Sequence, residues 1–145
     1  MSYMIDTSAV IDIIQQKGGD AVSFLRDQIT LDLAFYESGN AIRTMHHRGE
    51  LDRTDALALV SDLAGVWMLM NVVNYTSLDI NAILEMALDL DMAFYDAAFL
   101  VEARGLGTPF VTDDGSLQKK VPSSLKWMNS EEFTAILTDQ EYDEK

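Results

Sequence analysis

The 145-residue chain contains no cysteine, which excludes disulfides, thiolate nucleophiles and zinc–sulfur sites. It also lacks a long apolar run: the longest strongly apolar stretch, residues 66–73, is far shorter than the roughly 20 residues that a membrane-spanning helix needs. The N-terminus has no basic segment of the kind that opens a secretory signal. We therefore expect a cytoplasmic protein with no membrane association.

Basic residues are scarce as well. Ten Lys and Arg stand against 24 Asp and Glu, which gives a formal net charge of −14, and such a charge repels nucleic acid at long range. It has two interpretations: an acidic surface that favours solubility or a basic protein partner, or a group of carboxylates that a cation holds together. The apolar content of 48% is nevertheless that of an ordinary folded domain.

Short apolar segments alternate with helical patterns along the chain. This alternation predicts one α/β domain with a central, mainly parallel sheet of four to five strands and helices on both faces. We expect strands at residues 3–6, 29–33, 66–73, 108–112 and 125–128. The domain is predicted to span residues 1–138, with an acidic C-terminal tail at 139–145.

Local patterns also predict where helices begin, end and face the core. Thr7 or Ser8 is expected to cap the first helix, and a helix over residues 95–104 is expected to close at Gly105. Two other helices have apolar or small residues at helical spacing, which predicts one buried face on each. These faces comprise Leu57, Val60, Ser61 and Ala64, and then Ile80, Ile83, Leu84, Ala87 and Leu88.

Acidic residues follow or interrupt apolar sequence at four points, namely Asp6, Glu37, Asp96 and Asp114. Ligands of open parallel sheets bind beyond the carboxyl ends of the strands, so these four side chains can enter one crevice. A carboxylate beside a core is costly unless its charge is compensated, and a hard divalent cation is the simplest compensation. Taken singly, Asp6 and Asp96 fit a helix cap or a first-turn acid better than a metal ligand. Together the four favour a metal site.

The segments around these acids resemble the four motifs of the PIN-domain family, the nuclease fold that includes VapC-type toxins. Residues 4–8 are similar to its strand-one signature, and residues 35–41 to its motif centred on Glu. Residues 95–100 are similar to its Tyr-Asp-Ala helix start, and residues 110–117 to its Val-Thr-x-Asp motif. The resemblance extends from about residue 3 to residue 128.

The resemblance implies a metal-dependent ribonuclease, in which an acidic cluster binds one or two Mg²⁺ or Mn²⁺ ions that activate water for attack on an RNA phosphodiester. It implies that Asp6, Asp96 and Asp114 are ligands, directly or through water. Glu37 is then a further ligand or the residue that orients the attacking water. All four acids are predicted to be catalytic.

Other residues receive supporting roles on the same basis. Thr112 is expected to support the site by hydrogen bonding. The family's spacing selects Asp114 as the fourth acid, but Asp113 could substitute for it or join it. Candidate RNA contacts are Arg43, His47, Arg48 and Lys119, with Lys120 and Arg104 as further candidates. The basic group near residue 47 has a second interpretation, a solvated helix end with cations near its C-terminus.

The resemblance also implies partners: an RNA substrate, a small antitoxin whose basic segment fills the active-site groove, and a second copy of the chain in a homodimer. The alternative is a catalytically silent PIN-like module that binds a basic protein, which the strong acidity favours. A phosphatase or receiver-like domain is weaker, because those folds need a second acid near Asp6 and the residue two positions on is Ser8.

Overall fold

The computed structural model of the chain describes residues 1–144. Five parallel strands form one sheet in the order β3-β2-β1-β4-β5, which confirms the predicted α/β fold class. The strands are β1 Met4–Ile5, β2 Ile29–Leu31, β3 Asn71–Val73, β4 Phe110–Val111 and β5 Trp127–Met128. The helices are α1 Thr7–Lys17, α2 Ala21–Leu25, α3 Leu33–His47, α4 Arg53–Trp67, α5 Ile80–Leu90, α6 Phe94–Leu106, α7 Gly115–Gln118 and α8 Ser130–Asp143.

Helices cover both faces of the sheet, as predicted. Successive residues of a strand point to opposite faces, so β1 and β4 each contribute to two cores. Met4 and Phe110 lie in a cluster with residues of α5 and α6. Ile5 and Val111 lie in the other cluster, with residues of α1, α4 and α8. The central strands are thus buried on both sides, which is typical of parallel sheets.

The third strand is shorter than its apolar run predicted. Helix α4 continues to Trp67, and the strand contains only residues 71–73. Val66 is buried on the last turn of that helix, whereas Met68 is 85% exposed. A short apolar run does not distinguish a buried helix end from a strand by periodicity alone, so the prediction of a strand over residues 66–73 was wrong.

Two predicted helix ends are also corrected. Asp6, rather than Thr7 or Ser8, caps α1, because its carboxylate accepts a hydrogen bond from the Ala9 N–H. Helix α6 passes through Gly105 and ends at Leu106, and it is capped by Gly107, which has a φ of +67°. A glycine adopts that left-handed conformation without the steric cost of a Cβ.

The predicted buried face of α4 is wrong, because Leu57, Val60, Ser61 and Ala64 are all exposed, whereas that of α5 is partly right. Helix α4 buries Leu59, Leu63 and Val66, while Leu57 and Val60 are exposed. Helix α5 buries Ile83, Met86 and Ala87, and it exposes Ile80, Leu84 and Leu88. Each helix has apolar residues around more than one face, and its packing partners determine which face is covered.

The C-terminal segment predicted to be an acidic tail is helical as far as Asp143, because α8 continues through residues 139–143. Lys145 lies outside the described residues. Within residues 1–144, no helix is long and apolar enough to cross a membrane.

Candidate active site at the carboxyl end of the sheet

The ends of β1 and β4 place Asp6 beside Thr112. In the parallel register Ile5 is opposite Val111, and the Asp6 N–H donates to the Val111 carbonyl at 3.1 Å. The residues that directly follow the two strands are therefore neighbours. The Thr112 hydroxyl donates to Oδ2 of Asp6 at 2.5 Å.

Asp6 is buried, with 5% of its surface exposed, and both of its carboxylate oxygens accept hydrogen bonds. Oδ1 accepts from the Ser8 hydroxyl at 2.7 Å and from the Ala9 N–H at 3.0 Å, and Oδ2 accepts from Thr112. Burial raises the pKa of Asp6 to about 6, although these hydrogen bonds act to lower it. The side chain is consequently held in one orientation.

Hydroxyl groups beside Asp6 connect it to the segments that carry other acids. Thr112 Oγ1 also accepts from the Asp114 N–H at 3.1 Å, which orders the loop after β4. The Thr7 hydroxyl donates to Oε1 of Glu37 in α3 at 2.8 Å. Thr112 thus bonds Asp6 and the backbone of Asp114, while Thr7, the residue after Asp6, bonds Glu37.

The fourth acid, Asp96, lies in the first turn of α6. Burial raises the pKa of Asp96 to about 6, and the negative charges of Asp114 and Glu37 raise it further, against the opposing charge of Lys120. Asp114 and Glu37 therefore each lie close enough to Asp96 for their charges to act on it. The structure brings all four to the same end of the sheet.

Asp114 and its neighbour Asp113 point to different surroundings. Oδ1 of Asp114 caps α7 by accepting from Ser116 and from the Leu117 N–H, and the Ser116 hydroxyl bond holds the pKa of Asp114 below its ordinary value. Oδ1 of Asp113 instead accepts from the Ser130 N–H at 2.7 Å, at the start of α8. Only Asp114 of this pair contributes to the repulsion on Asp96.

Asp113 lies beside Asp12, an acid that sequence reasoning had not placed in the site. Burial, followed by a hydrogen bond to Asp113 and its negative charge, raises the pKa of Asp12 to about 7. When Asp12 is ionised, no group among the described residues donates a hydrogen bond to the buried Oδ2 of Asp113. A signal was present in the sequence, because Asp12 interrupts the otherwise apolar residues 9–14.

The side chains at this site are of the chemical type that binds a hard divalent cation. The available ligands are carboxylate oxygens, which Mg²⁺ and Mn²⁺ prefer. The repulsion that Asp114 and Glu37 exert on Asp96 is the electrostatic condition that a cation relieves. Convergence is incomplete, however: within residues 1–144, no three Asp, Glu or His side chains are disposed as a coordination sphere. A metal would have to draw the carboxylates together.

The predicted RNA contacts are dispersed over the surface. Arg43 borders a cavity between α3 and α4, His47 and Arg48 are exposed at the C-terminal end of α3, and Lys119 is exposed after α7. Lys120 differs from them, because it lines a cavity together with Asp96.

Comparison with known sequences identifies a relative of similar length. Ribonuclease VapC3 from Pyrobaculum aerophilum is 28% identical over 128 residues, which cover 85% of this chain and 97% of that protein. No protein-family model matches the sequence. The similarity to Ribonuclease VapC3 extends across nearly the whole of that protein.

Three solved structures share the fold. PAE2754 from Pyrobaculum aerophilum has a TM-score of 0.78 and 23% identity, with 96% of this chain and 90% of that chain covered. VapBC2 from Rickettsia felis, bound to a DNA fragment from its promoter, has a TM-score of 0.63 and 12% identity over 89% and 98% of the two chains. A toxin–antitoxin complex from Klebsiella pneumoniae has a TM-score of 0.53 and 14% identity over 83% and 93%. The chain therefore has the PIN-domain fold, and the resemblance to VapC-type proteins predicted from its four motifs is confirmed.

Proposed function

We propose that this protein is a metal-dependent endoribonuclease and the toxin of a toxin–antitoxin pair. The observation that carries the proposal is the position of Asp6, Glu37, Asp96 and Asp114 at one end of the sheet, where Thr112 bonds Asp6 and the Asp114 backbone and Thr7 bonds Glu37. The sequence similarity to Ribonuclease VapC3 supports the same reaction. RNA is then the substrate.

Each acid has a role in this proposal. Asp6, Asp96 and Asp114 hold Mg²⁺ or Mn²⁺, and Glu37 is a further ligand or orients the attacking water. Bound there, the ion supplies a water of lowered pKa and stabilises negative charge on the phosphodiester.

The hydroxyl groups of Thr112 and Thr7 change the pKa or the orientation of two of these acids. Thr112 lowers the pKa of Asp6 by donating to it, so that more of this buried carboxyl is ionised at neutral pH. Thr7 occupies Oε1 of Glu37 and thereby restricts the rotation of that side chain, which directs its second oxygen.

Partners follow from the charge and from the structural relatives. A site of four acids in a chain of net charge −14 is complementary to the basic segment of an antitoxin, and two of the structural relatives are a VapBC protein and a toxin–antitoxin complex. The exposed stripe Ile80, Leu84 and Leu88 on α5 offers an apolar surface for the second subunit of a homodimer.

The test combines metal binding with RNA cleavage. Mn²⁺ is titrated calorimetrically into the wild type, into Asp6→Asn/Asp96→Asn, and into Asp62→Asn/Asp139→Asn, a control that removes the same charge from exposed positions on α4 and α8. We expect saturable binding that only the site variant loses. The wild type should cleave structured RNA in Mn²⁺ but not in EDTA. Intact RNA together with the absence of divalent binding would falsify the proposal.

A silent module that binds a basic protein is the second candidate. The net charge of −14 and the incomplete convergence of the carboxylates among the described residues favour it. It predicts that Asp6→Asn/Asp96→Asn leaves both partner affinity and biological activity unchanged. Loss of RNA cleavage in that variant would eliminate it.

A further inference from the structure

A cavity of about 270 Å³ opens beside Asp96, between the segment that joins α5 to α6 and the short helix α7. Met92 and Leu117 contribute apolar surface to its lining, and Lys120 contributes a positive charge. Its volume is below the roughly 300–1,000 Å³ typical of sites that enclose a whole small-molecule ligand. The cavity therefore suits one unit of a longer chain that continues along the surface.

Lys120 is held at this cavity by the backbone. Its ammonium group donates a hydrogen bond to the carbonyl oxygen of Asp91, the residue that follows α5 and caps its C-terminus. An ammonium has three donors, so this contact positions the charge and leaves the other two donors for a ligand. The charge of Lys120 acts to lower the pKa of Asp96, whereas the charges of the neighbouring carboxylates raise it.

An RNA strand that approaches the acidic group meets strong repulsion unless its phosphates find cations. Lys120 is the basic residue that lines the cavity at Asp96. Arg43 borders a different cavity with His46 and Arg53, and Lys119 does not line this one. The position of a fixed cation next to a catalytic carboxylate indicates a ligand that is itself anionic.

We propose that this cavity is a phosphate-binding subsite for the RNA strand, and that Lys120 contacts a backbone phosphate adjacent to the one that is cut. This inference rests on the proposed function, since it assigns a substrate contact to the same site. Lys120 is a binding residue here, and it fixes where the strand lies relative to Asp96.

The experiment measures binding of a fluorescently labelled single-stranded RNA in EDTA, where metal-dependent cleavage is suppressed, at a series of KCl concentrations. The variants are Lys120→Gln, Lys120→Arg and the adjacent control Lys119→Gln, which removes the same charge. Each phosphate contact to a single strand contributes about 0.7 to the slope of log K against log salt. We expect Lys120→Gln to reduce that slope by about 0.7 and to weaken binding about tenfold. Lys119→Gln and Lys120→Arg should retain the wild-type slope.

Equal slopes for Lys120→Gln and Lys119→Gln would overturn the subsite. A lowered unfolding temperature of Lys120→Gln with an unchanged slope would do the same, because it would show that the lysine only stabilises the end of α5. A wild type that cleaves RNA in Mn²⁺ but shows equal slopes contradicts the subsite alone. A wild type that neither binds nor cleaves RNA contradicts the proposed function as well.

Discussion

Thr112 donates a hydrogen bond of 2.5 Å to Asp6, although 106 positions separate the two residues in the chain. The same hydroxyl oxygen accepts from the Asp114 N–H at 3.1 Å. Thr112 is fully buried, so water has no access to replace either bond. One side chain therefore bonds both the Asp6 carboxylate and the backbone of Asp114.

Removal of the Thr112 hydroxyl should affect stability and activity together. A buried hydrogen bond to a charged group contributes about 1.5–3 kcal/mol, so we expect Thr112→Val to lower the free energy of unfolding by about that amount. Thr112→Ser retains the donor and should lose less. Urea denaturation measures the first effect, and Mn²⁺-dependent RNA cleavage should fall in Thr112→Val. Cleavage within about twofold of wild type would contradict a supporting role.

Thr7 should matter for activity without mattering for stability. Its hydroxyl donates to Glu37, while Asp6 provides the cap of α1. We expect Thr7→Val to reduce kcat about tenfold, the rate equivalent of about 1.4 kcal/mol, with little change in unfolding temperature, and Thr7→Ser to restore activity. Thr138→Val is a matched control, because it removes a 2.8 Å hydroxyl bond to the Thr134 carbonyl in α8, remote from the acids. Equal effects of the two Val variants would argue against positioning of Glu37.

Asp113 and Asp114 have different surroundings, so we expect substitutions at these two adjacent positions to have different effects on RNA cleavage. Asp114→Asn should abolish RNA cleavage, because Asp114 interacts with Asp96. Asp113→Asn should leave most of the activity, because Asp113 bonds Ser130 and Asp12 and its charge is the smallest contribution to the raised pKa of Asp6. Cleavage assays in Mn²⁺, with circular dichroism to verify folding, compare the two. Loss of activity in Asp113→Asn alone would assign the fourth acid to Asp113.

The raised pKa of Asp12 predicts that the stability of the folded protein depends on pH. The folded protein retains the Asp12 proton up to a pKa of about 7, whereas the unfolded chain releases it near the ordinary pKa of 3.8. The folded state thus binds more protons between these values, and its stability falls as the pH rises through that window. Asp12→Asn removes this effect and offers Asp113 an amide donor.

The unfolding temperature of Asp12→Asn should therefore exceed that of the metal-free wild type at pH 8 and match it near pH 3.5. Scanning calorimetry at both pH values measures the difference, and the exposed substitution Asp62→Asn serves as the control. A constant difference between Asp12→Asn and wild type across the pH range would contradict a raised pKa.

Local sequence was sufficient for the fold class and for the order of the acids. Met4 and Ile5 are apolar and are followed by the turn-prone residues 6–8, which predicts a short buried strand that ends at Asp6. The same reasoning located Thr112 and Asp114 after β4. Because side chains at the carboxyl ends of parallel strands meet at one edge of the sheet, their proximity could be predicted without coordinates.

Local sequence failed where two structures satisfy the same pattern. Residues 66–73 are apolar enough for a strand, yet the first part completes α4. Leu84 and Leu88 have the spacing of a buried face, yet they are exposed while Met86 is buried. In each case the choice depends on which neighbouring element covers the surface, and periodicity does not contain that information.

By itself, then, the sequence determined the alternation of strands and helices, the parallel sheet and the four acids at its carboxyl edge, because these depend on short-range periodicity and on the ends of individual elements. Tertiary structure alone decided that Asp113 bonds Asp12, that the charge of Asp114 acts on Asp96, and that Lys120 rather than Lys119 lines the adjoining cavity. Asp113 and Asp114 are adjacent in the chain, as are Lys119 and Lys120, so the local sequence around the two members of each pair is nearly identical. Their directions are set by contacts with α1, α6 and α8, which are distant in sequence.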